Sequence, residues 1–256
     1  MNMKPLICSI FIATLFFGST VAVCALAYNP DMDLDTDGDG LTDYEEKAIY
    51  QTFWYDKDTD KDGYDDGLEV KNNYSPKQKG LKMFEADTDN DGLNDAWEIK
   101  LGSNLMIRDT DNDGYLDGME VNNGYSPTDP EPKKIERLIK VDVSDYSLSA
   151  YHGDTLLETF AVSTGIERTP TPLGEFKVLA KIPVKWYLSP THSYPNTKWN
   201  LKFTIKNGLG YYIHSAYWHD KFGWANVSGG CVNVRVSDME RLYNWASVGT
   251  KVIIQK

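Results

Sequence analysis

The sequence predicts a mainly β domain with minor helix, placed behind an N-terminal array of acidic loops and short helices. Three observations carry that expectation: a charge imbalance dividing the 256 residues, an aspartate pattern recurring four times in the first half, and apolar alternation of period two in the second. Residues 28–130 hold 27 Asp and Glu against 9 Lys and Arg, a net of −18, whereas residues 131–256 hold 11 against 16, a net of +5. Such asymmetry implies two parts with different tasks. No base-reading motif accompanies the positive half, so nucleic acid is not an expected partner.

At the start, Lys4 precedes an apolar run from Leu6 to Val23, and Ala25-Leu26-Ala27 offers a small-residue cleavage site. Residues 1–27 therefore read as a signal peptide, with the mature chain beginning at Tyr28 in the periplasm, the cell wall or the extracellular space. Left uncleaved, this segment is the only expected membrane contact, since about 18 apolar residues can just span a bilayer. Val23 before Cys24 fits a lipid-modified cysteine poorly. Removal of Cys8 and Cys24 leaves Cys231 as the single thiol: an inert core residue, an intermolecular partner or a reactive group.

The repeated pattern is D-x-D-x-D-G-x-x-D-x-x-E. Its copies are Asp35, Asp37, Asp39, Asp43 and Glu46; Asp58, Asp60, Asp62, Asp66 and Glu69; Asp87, Asp89, Asp91, Asp95 and Glu98; and Asp109, Asp111, Asp113, Asp117 and Glu120. A hard divalent cation such as calcium takes 6 to 8 oxygens, and carboxylates at these loop positions can wrap around it. Glycine at position 6 (Gly40, Gly63, Gly92, Gly114) permits the sharp turn, and the carbonyl of position 7 (Leu41, Tyr64, Leu93, Tyr115) adds a backbone ligand. All twenty acids are candidate metal ligands, and calcium is the one cofactor expected, as a structural ion. Only 11, 17 and 10 residues separate successive copies, enough for one short helix each and too few for paired EF-hands. Glu69 to Pro76 is echoed by Glu120 to Pro127, the mark of a duplicated two-loop module. Trp54, Tyr55 and Trp97 are expected in a small core beneath the loops. Residues 31–130 resemble bacterial thrombospondin type 3 repeats. Dockerin modules share the loop-helix plan, and that alternative implies a cohesin-like docking partner.

Thr128 to Lys134 combines two prolines with charges and no apolar period, marking the end of a repeat region at 28–130 and a linker at 131–138. In the domain expected over 139–256, Ile139, Val141 and Val143 alternate, and His152-Gly153-Asp154 turns a hairpin into Leu156 to Val162. Phe176, Val178, Ala180 and Ile182 predict one further strand, and Val252 to Ile254 a closing one. Ser237 with Glu240 forms a capping-box pattern ahead of Met239, Leu242, Tyr243 and Trp245, with Gly249 as the stop.

The chemistry concentrates at His214 and, 17 residues on, Cys231 behind Gly229-Gly230. A thiol attacks acyl carbon well only as thiolate, so it needs a base, for which His214 is the candidate. The two glycines let the chain turn tightly and expose amides for an oxyanion. Trp186, Tyr187, Trp199, Trp218 and Trp224 are candidates for a substrate cleft or for core. The remaining histidines, His152, His192 and His219, read from the residues alone as turn or surface positions.

The segment Ser228-Gly229-Gly230-Cys231, with Ser163-Thr164-Gly165, the Thr169 to Phe176 stretch, Tyr217-Trp218-His219, Asn233 and Arg235, resembles the L,D-transpeptidase (YkuD-like) family over about 139–254. The resemblance implies a β-sandwich acting on peptidoglycan stem peptides through a cysteinyl acyl-enzyme and forming 3-3 cross-links, with no catalytic cofactor. It makes Cys231 the nucleophile and His214 the base, and Ser215 or its carbonyl the orienter of that ring. Gly230 with Cys231 supplies the oxyanion amides, and Asn233, Arg235, Trp218 and His219 serve substrate or loop. Gly229 stands where the family has histidine, and His219 is the residue near enough in sequence to replace part of that ring's role. A weakened wall-binding module and an L,D-carboxypeptidase are the alternative readings.

Overall fold

The computed structural model describes residues 33–188 and 192–256 in full and the backbone of 8–13 and 21–26. Lys4, Ala27 and Tyr28, which carry the expected export signal and its cleavage point, lie outside the described residues. Strands β1 (Cys8–Ala13) and β2 (Val21–Leu26) pair antiparallel. No helix among the described residues is long and apolar enough to cross a membrane. Two compact units follow the chain, Met1–Lys79 and Gly80–Lys256.

Each acidic loop runs into a short helix that begins at its ninth position. These are α1 (Asp43–Glu45, continuing as a π-turn through Glu46–Tyr50), α2 (Asp66–Lys71), α3 (Asp95–Leu101) and α4 (Asp117–Asn123). In the first unit Trp54 and Tyr55 are 39% and 62% exposed, so they are not the core expected of them; Trp54 instead lies under the Lys47 ammonium. Trp97 is buried as expected.

The second unit holds a nine-stranded mixed sheet. Its strands are β3 (Arg137–Asp142), β4 (Ser147–His152), β5 (Thr155–Ser163), β6 (Gly174–Lys177), β7 (Ala180–Leu188), β8 (Ser193–Lys206), β9 (Leu209–Ser215), β10 (Val232–Val234) and β11 (Lys251–Gln255). They are ordered β6-β11-β3-β4-β5-β10-β9-β8-β7. The sheet curls until β6 at one edge meets β8 near the other, with Phe176 edge-on to Phe203 at 5.3 Å, giving two facing layers. The single strand expected through Phe176 to Ile182 is broken at Val178-Leu179. There the Val178 N–H donates to Thr250 O (2.9 Å) and the Leu179 N–H to Lys202 O (2.7 Å), because the chain is crossing between the layers.

Helix α5 (Val236–Trp245) buries Met239, Leu242 and Trp245 against β8 and β9. Its apolar face is the one the sequence predicts, but the capping box is not formed. Arg235 is the N-cap residue without a side-chain bond, and the Ser237 hydroxyl donates to Asp238. The helix also ends at Trp245, before Gly249.

Leu93, Trp97 and Val121, from the third and fourth loop regions, belong to the same buried cluster as Ile139, Leu157, Met239 and Trp245. The Trp97 and Trp245 rings meet edge to face at 6.4 Å. Lys100 Nζ donates to Leu157 O, and Arg137 donates to Asn122 O, Trp245 O and Ser247 Oγ. His152, read from sequence as a turn or surface residue, is buried and bonds Tyr125 O through Nε2 at 2.7 Å.

Candidate active site and metal loops

Parallel pairing of β9 and β10 sets Asn233 opposite His214 and Val232 opposite Ile213. Side chains two apart on a strand share a face, so Cys231 and Asn233 lie on the face that carries Tyr212 and His214. His214 is buried. Its Nδ1 lies 2.8 Å from Ser215 O, an atom that can only accept, so Nδ1 carries the proton. Its Nε2 is then an acceptor and meets Asn233 Nδ2 at 3.2 Å. Asn233 Oδ1 faces His219 Nε2 at 3.2 Å, and His219 Nδ1 accepts from the Lys221 N–H. One directed chain of hydrogen bonds therefore runs from the Lys221 amide through His219, Asn233 and His214 to the Ser215 carbonyl, and its two backbone ends set both tautomers. The orienter of His214 is the Ser215 carbonyl, since the Ser215 hydroxyl donates to Lys198 O.

Burial pushes the Cys231 thiol up to about 11, against lowering by the Tyr212 backbone and the Lys185 charge. Burial likewise pulls His214 down to about 4, against the Ser215 carbonyl. At neutral pH the resting pair is thus thiol and imidazole. Cys231 as a whole residue retains partial exposure.

The turn before the cysteine is built by Ser228, whose hydroxyl accepts from the Gly230 N–H (3.0 Å) and donates to Cys231 O. Gly230 has φ 116°, and a Cβ there would lie 2.7 Å from the Tyr211 ring, so only glycine fits. With the Gly230 amide engaged by Ser228, the Cys231 amide, which has no acceptor among the described residues, is the donor left for an oxyanion.

Arg235 is exposed and packs over the Phe222 ring at 5.5 Å, and Phe222 lies 4.6 Å from His219, so Arg235 supports the loop that carries His219. Trp218 stacks on Tyr194 at 3.8 Å and stands 5.8 Å from His214. Tyr187 stacks on His214 at 4.5 Å, while Trp186 and Trp224 are 62% and 61% exposed on the surface. Lys185, which sequence reasoning missed, has its Nζ over Tyr187 and Tyr212 at 5.2 and 5.4 Å.

In each acidic loop the aspartates at positions 1, 3 and 5 bring oxygens within 4.8 Å of one another. The ninth-position aspartates are also tied within the protein, and Asp66 comes within 4.8 Å of Asp39 and Glu46. Asp43, Asp66, Asp95 and Asp117 accept at both oxygens from the amide and hydroxyl of Thr36, Thr59, Thr88 and Thr110, which pins each loop to its helix. Threonine at position 2 of every copy is the sequence signal that was available for this. Two carboxylate oxygens in the first, second and fourth loops and three in the third are buried without a partner: Oδ2 of Asp37, Asp60, Asp89 and Asp111, Oε2 of Glu46, Glu69, Glu98 and Glu120, and Oε1 of Glu98. Desolvation, with the neighbouring aspartates, raises the four glutamates to about 7, 8, 9 and 8 in chain order. Orphaned, mutually repelling oxygens around a glycine turn fit a hard divalent cation.

Residues 136–254 match the model of the L,D-transpeptidase catalytic domain, and residues 35–52, 87–104 and 109–130 match the bacterial TSP3 repeat. The second half of this chain carries a domain of the L,D-transpeptidase family. L,D-transpeptidase 1 of Mycobacterium tuberculosis is 26% identical over 126 residues, covering 43% of this chain and 47% of its own. The chain therefore spans about half the length of the curated relatives it matches. Among solved structures, an L,D-transpeptidase from Mycobacterium smegmatis is 30% identical, covering 49% of this chain and 64% of its own at TM-score 0.44. One from Mycobacterium tuberculosis is 24% identical, covering 48% and 59% at 0.45.

Proposed function

We propose that this chain is an exported cell-wall L,D-transpeptidase that links peptidoglycan stem peptides through a cysteinyl acyl-enzyme, with calcium holding its acidic loops. The observation that carries the reading is the buried His214, with its tautomer set by Ser215 O, on the strand face it shares with Cys231. Both groups start neutral, so the thiol proton passes to His214 Nε2 as Sγ attacks the carbonyl carbon of the third stem residue. The long contact from Asn233 Nδ2 gives way to that proton. The carbon–nitrogen bond to the terminal D-residue then breaks, and its amine leaves with the proton from His214. An amine of a second stem attacks the thioester, giving the 3-3 cross-link and returning the proton to sulfur. Asn233 and His219 act here by fixing the ring of His214, and Arg235 by supporting their loop.

Calcium, when bound, supplies the positive charge that the converging carboxylates of each loop lack. In the second unit that charge also stabilises the catalytic fold, because α3 and α4 contribute to its core. The loops of the first unit act as spacer or docking segment.

The test is mass spectrometry of muropeptides incubated with the mature chain, alongside carbapenem labelling of the wild type and of Cys231→Ala. The expected result is 3-3 dimers and a covalent adduct, both lost in the variant; absence of both from the wild type overturns the reading. Loss of the terminal residue without dimers assigns water as the acceptor, making the enzyme a carboxypeptidase. The weakened wall-binding module is favoured by Gly229, where an added Cβ meets nothing within 4 Å. A gain in turnover for Gly229→His supports that second reading, and unchanged turnover removes it.

A further inference from the structure

We propose that Lys185 forms an anion subsite beside Cys231 that holds a carboxylate of the donor stem peptide, an inference that deepens the transpeptidase reading and rests on it. Between Glu175 and Asp220 the chain contains six lysines and no acidic residue, and this stretch builds β7, β8 and β9, the half of the sheet that carries His214. Lys181 is turned away, with its Nζ donating to Ala246 O, and Lys198 lies over the Trp199 ring. Lys185, by contrast with those two, stands against rings of the site. Its Nζ stands over both Tyr187 and Tyr212, the first stacked on the His214 ring and the second on the strand position beside Cys231.

The local backbone explains that aim. Pairing of β7 with β8 shifts register between Lys185 and Tyr187, and such a bulge re-aims the side chains around it. Lys185 is half-buried, and no carboxylate pairs with it among the described residues. A partly desolvated ammonium resting on two rings and lacking a counterion is a ready partner for an incoming anion. The same charge is felt at both the Cys231 thiol and the His214 ring, more weakly than their burial. A donor stem brings a carboxylate to this spot by its chemistry, since the residue released from the scissile carbonyl ends in one. The third residue is the other source when it bears a carboxylate of its own.

The experiment is calorimetric titration of the mature chain carrying Cys231→Ala, which binds without turning over. The titrants are a stem tetrapeptide with a free C-terminus, the same peptide as its C-terminal amide, and a peptide amidated only at the third residue. Amidation at the responsible carboxylate is expected to weaken binding about 10- to 100-fold, the range for a hydrogen bond to a charged group. Adding Lys185→Met should then make acid and amide equivalent, while Lys185→Arg restores most of the preference. In the enzyme with Cys231 intact, Lys185→Met is expected to raise KM with little change in kcat. Equal affinity of acid and amides for the parent overturns the proposal alone. So does a Lys185→Met variant that keeps KM but lowers kcat and moves its pH profile, since that makes the ammonium a thiolate stabiliser. No binding of any stem peptide overturns the transpeptidase reading and the subsite with it.

Discussion

The first and second loop pairs are built to one plan and joined to different surroundings. In both, a threonine pins the ninth-position aspartate, and a fifth-position aspartate reaches across to the next helix: Asp39 Oδ2 accepts from the Gly67 N–H and Asp91 Oδ2 from the Gly118 N–H. In both, the receiving glycine is obligatory, because a Cβ would sit 2.4 Å from Asp39 O or 2.5 Å from Gly92 C. The pairs part company at a few apolar positions. Trp97 in α3 corresponds by loop position to Glu45 in α1, and the fully buried Val121 to the partly exposed Val70. The second pair thereby shares a core with the sheet, while in the first Leu41 is the one large apolar side chain buried among the described residues. Carboxylate geometry makes the acidic loop, whereas a Trp and a Val decide whether that loop shares a core with the sheet.

The largest test of this contrast is calcium removal. A site filled a thousandfold above its Kd contributes about 4 kcal/mol, so chelation should lower the melting temperature of the catalytic fold by on the order of 10 °C. Glu98→Gln should reproduce much of that fall and Glu46→Gln little of it, read by calorimetry of the full mature chain; equal effects on the catalytic transition would break the comparison. Next, Trp97→Ala should cost about 3–5 kcal/mol in denaturant melts of the second unit, by opening a cavity against Trp245. Trp54→Ala, at an exposed site, should stay within about 0.5 kcal/mol.

The pH response separates the pairs further. Glu98, pushed up to about 9 mainly by desolvation, exceeds its unfolded value, so without calcium its carboxyl favours the fold at acid pH and that contribution fades as pH climbs to about 9. Glu46, at about 7, should lose its contribution earlier. Calcium-free stability of the second unit should therefore go on declining from pH 7 to 9, and saturating calcium should flatten the slope. The smallest effect is shared: Thr88→Val and Thr36→Val should each cost about 1 kcal/mol in calcium-free melts. A marked difference between them would mean the loops are not equivalent locally.

At the active site, Asn233→Asp sets a carboxylate against His214 Nε2. The acid limb of the pH–rate profile should then move up from about 4 toward neutrality, which rate measurements from pH 3 to 8 would register.

Much of this was legible in the residues. The acidic loops could be read because their carboxylates fall within twelve residues, where spacing alone dictates geometry. The Cys231 turn could be read because Gly230 must take a positive φ. The capping box at Ser237 misled because burial of Met239, Leu242 and Trp245 holds α5 without it. His152 misled because a turn-like sequence says nothing of Tyr125, 27 residues away, whose carbonyl it meets.

What the sequence by itself determined is therefore short-range: four acidic loops, a tight turn before Cys231, alternating strands and one amphipathic helix, each set by steric and periodic rules acting over a few residues. The tertiary structure alone decided that the second loop pair shares a core with the sheet, that His219 reaches His214 through Asn233, and that Lys185 rests against Tyr187 and Tyr212. Those outcomes depend on strand register, and a shift of one residue turns a side chain to the opposite face.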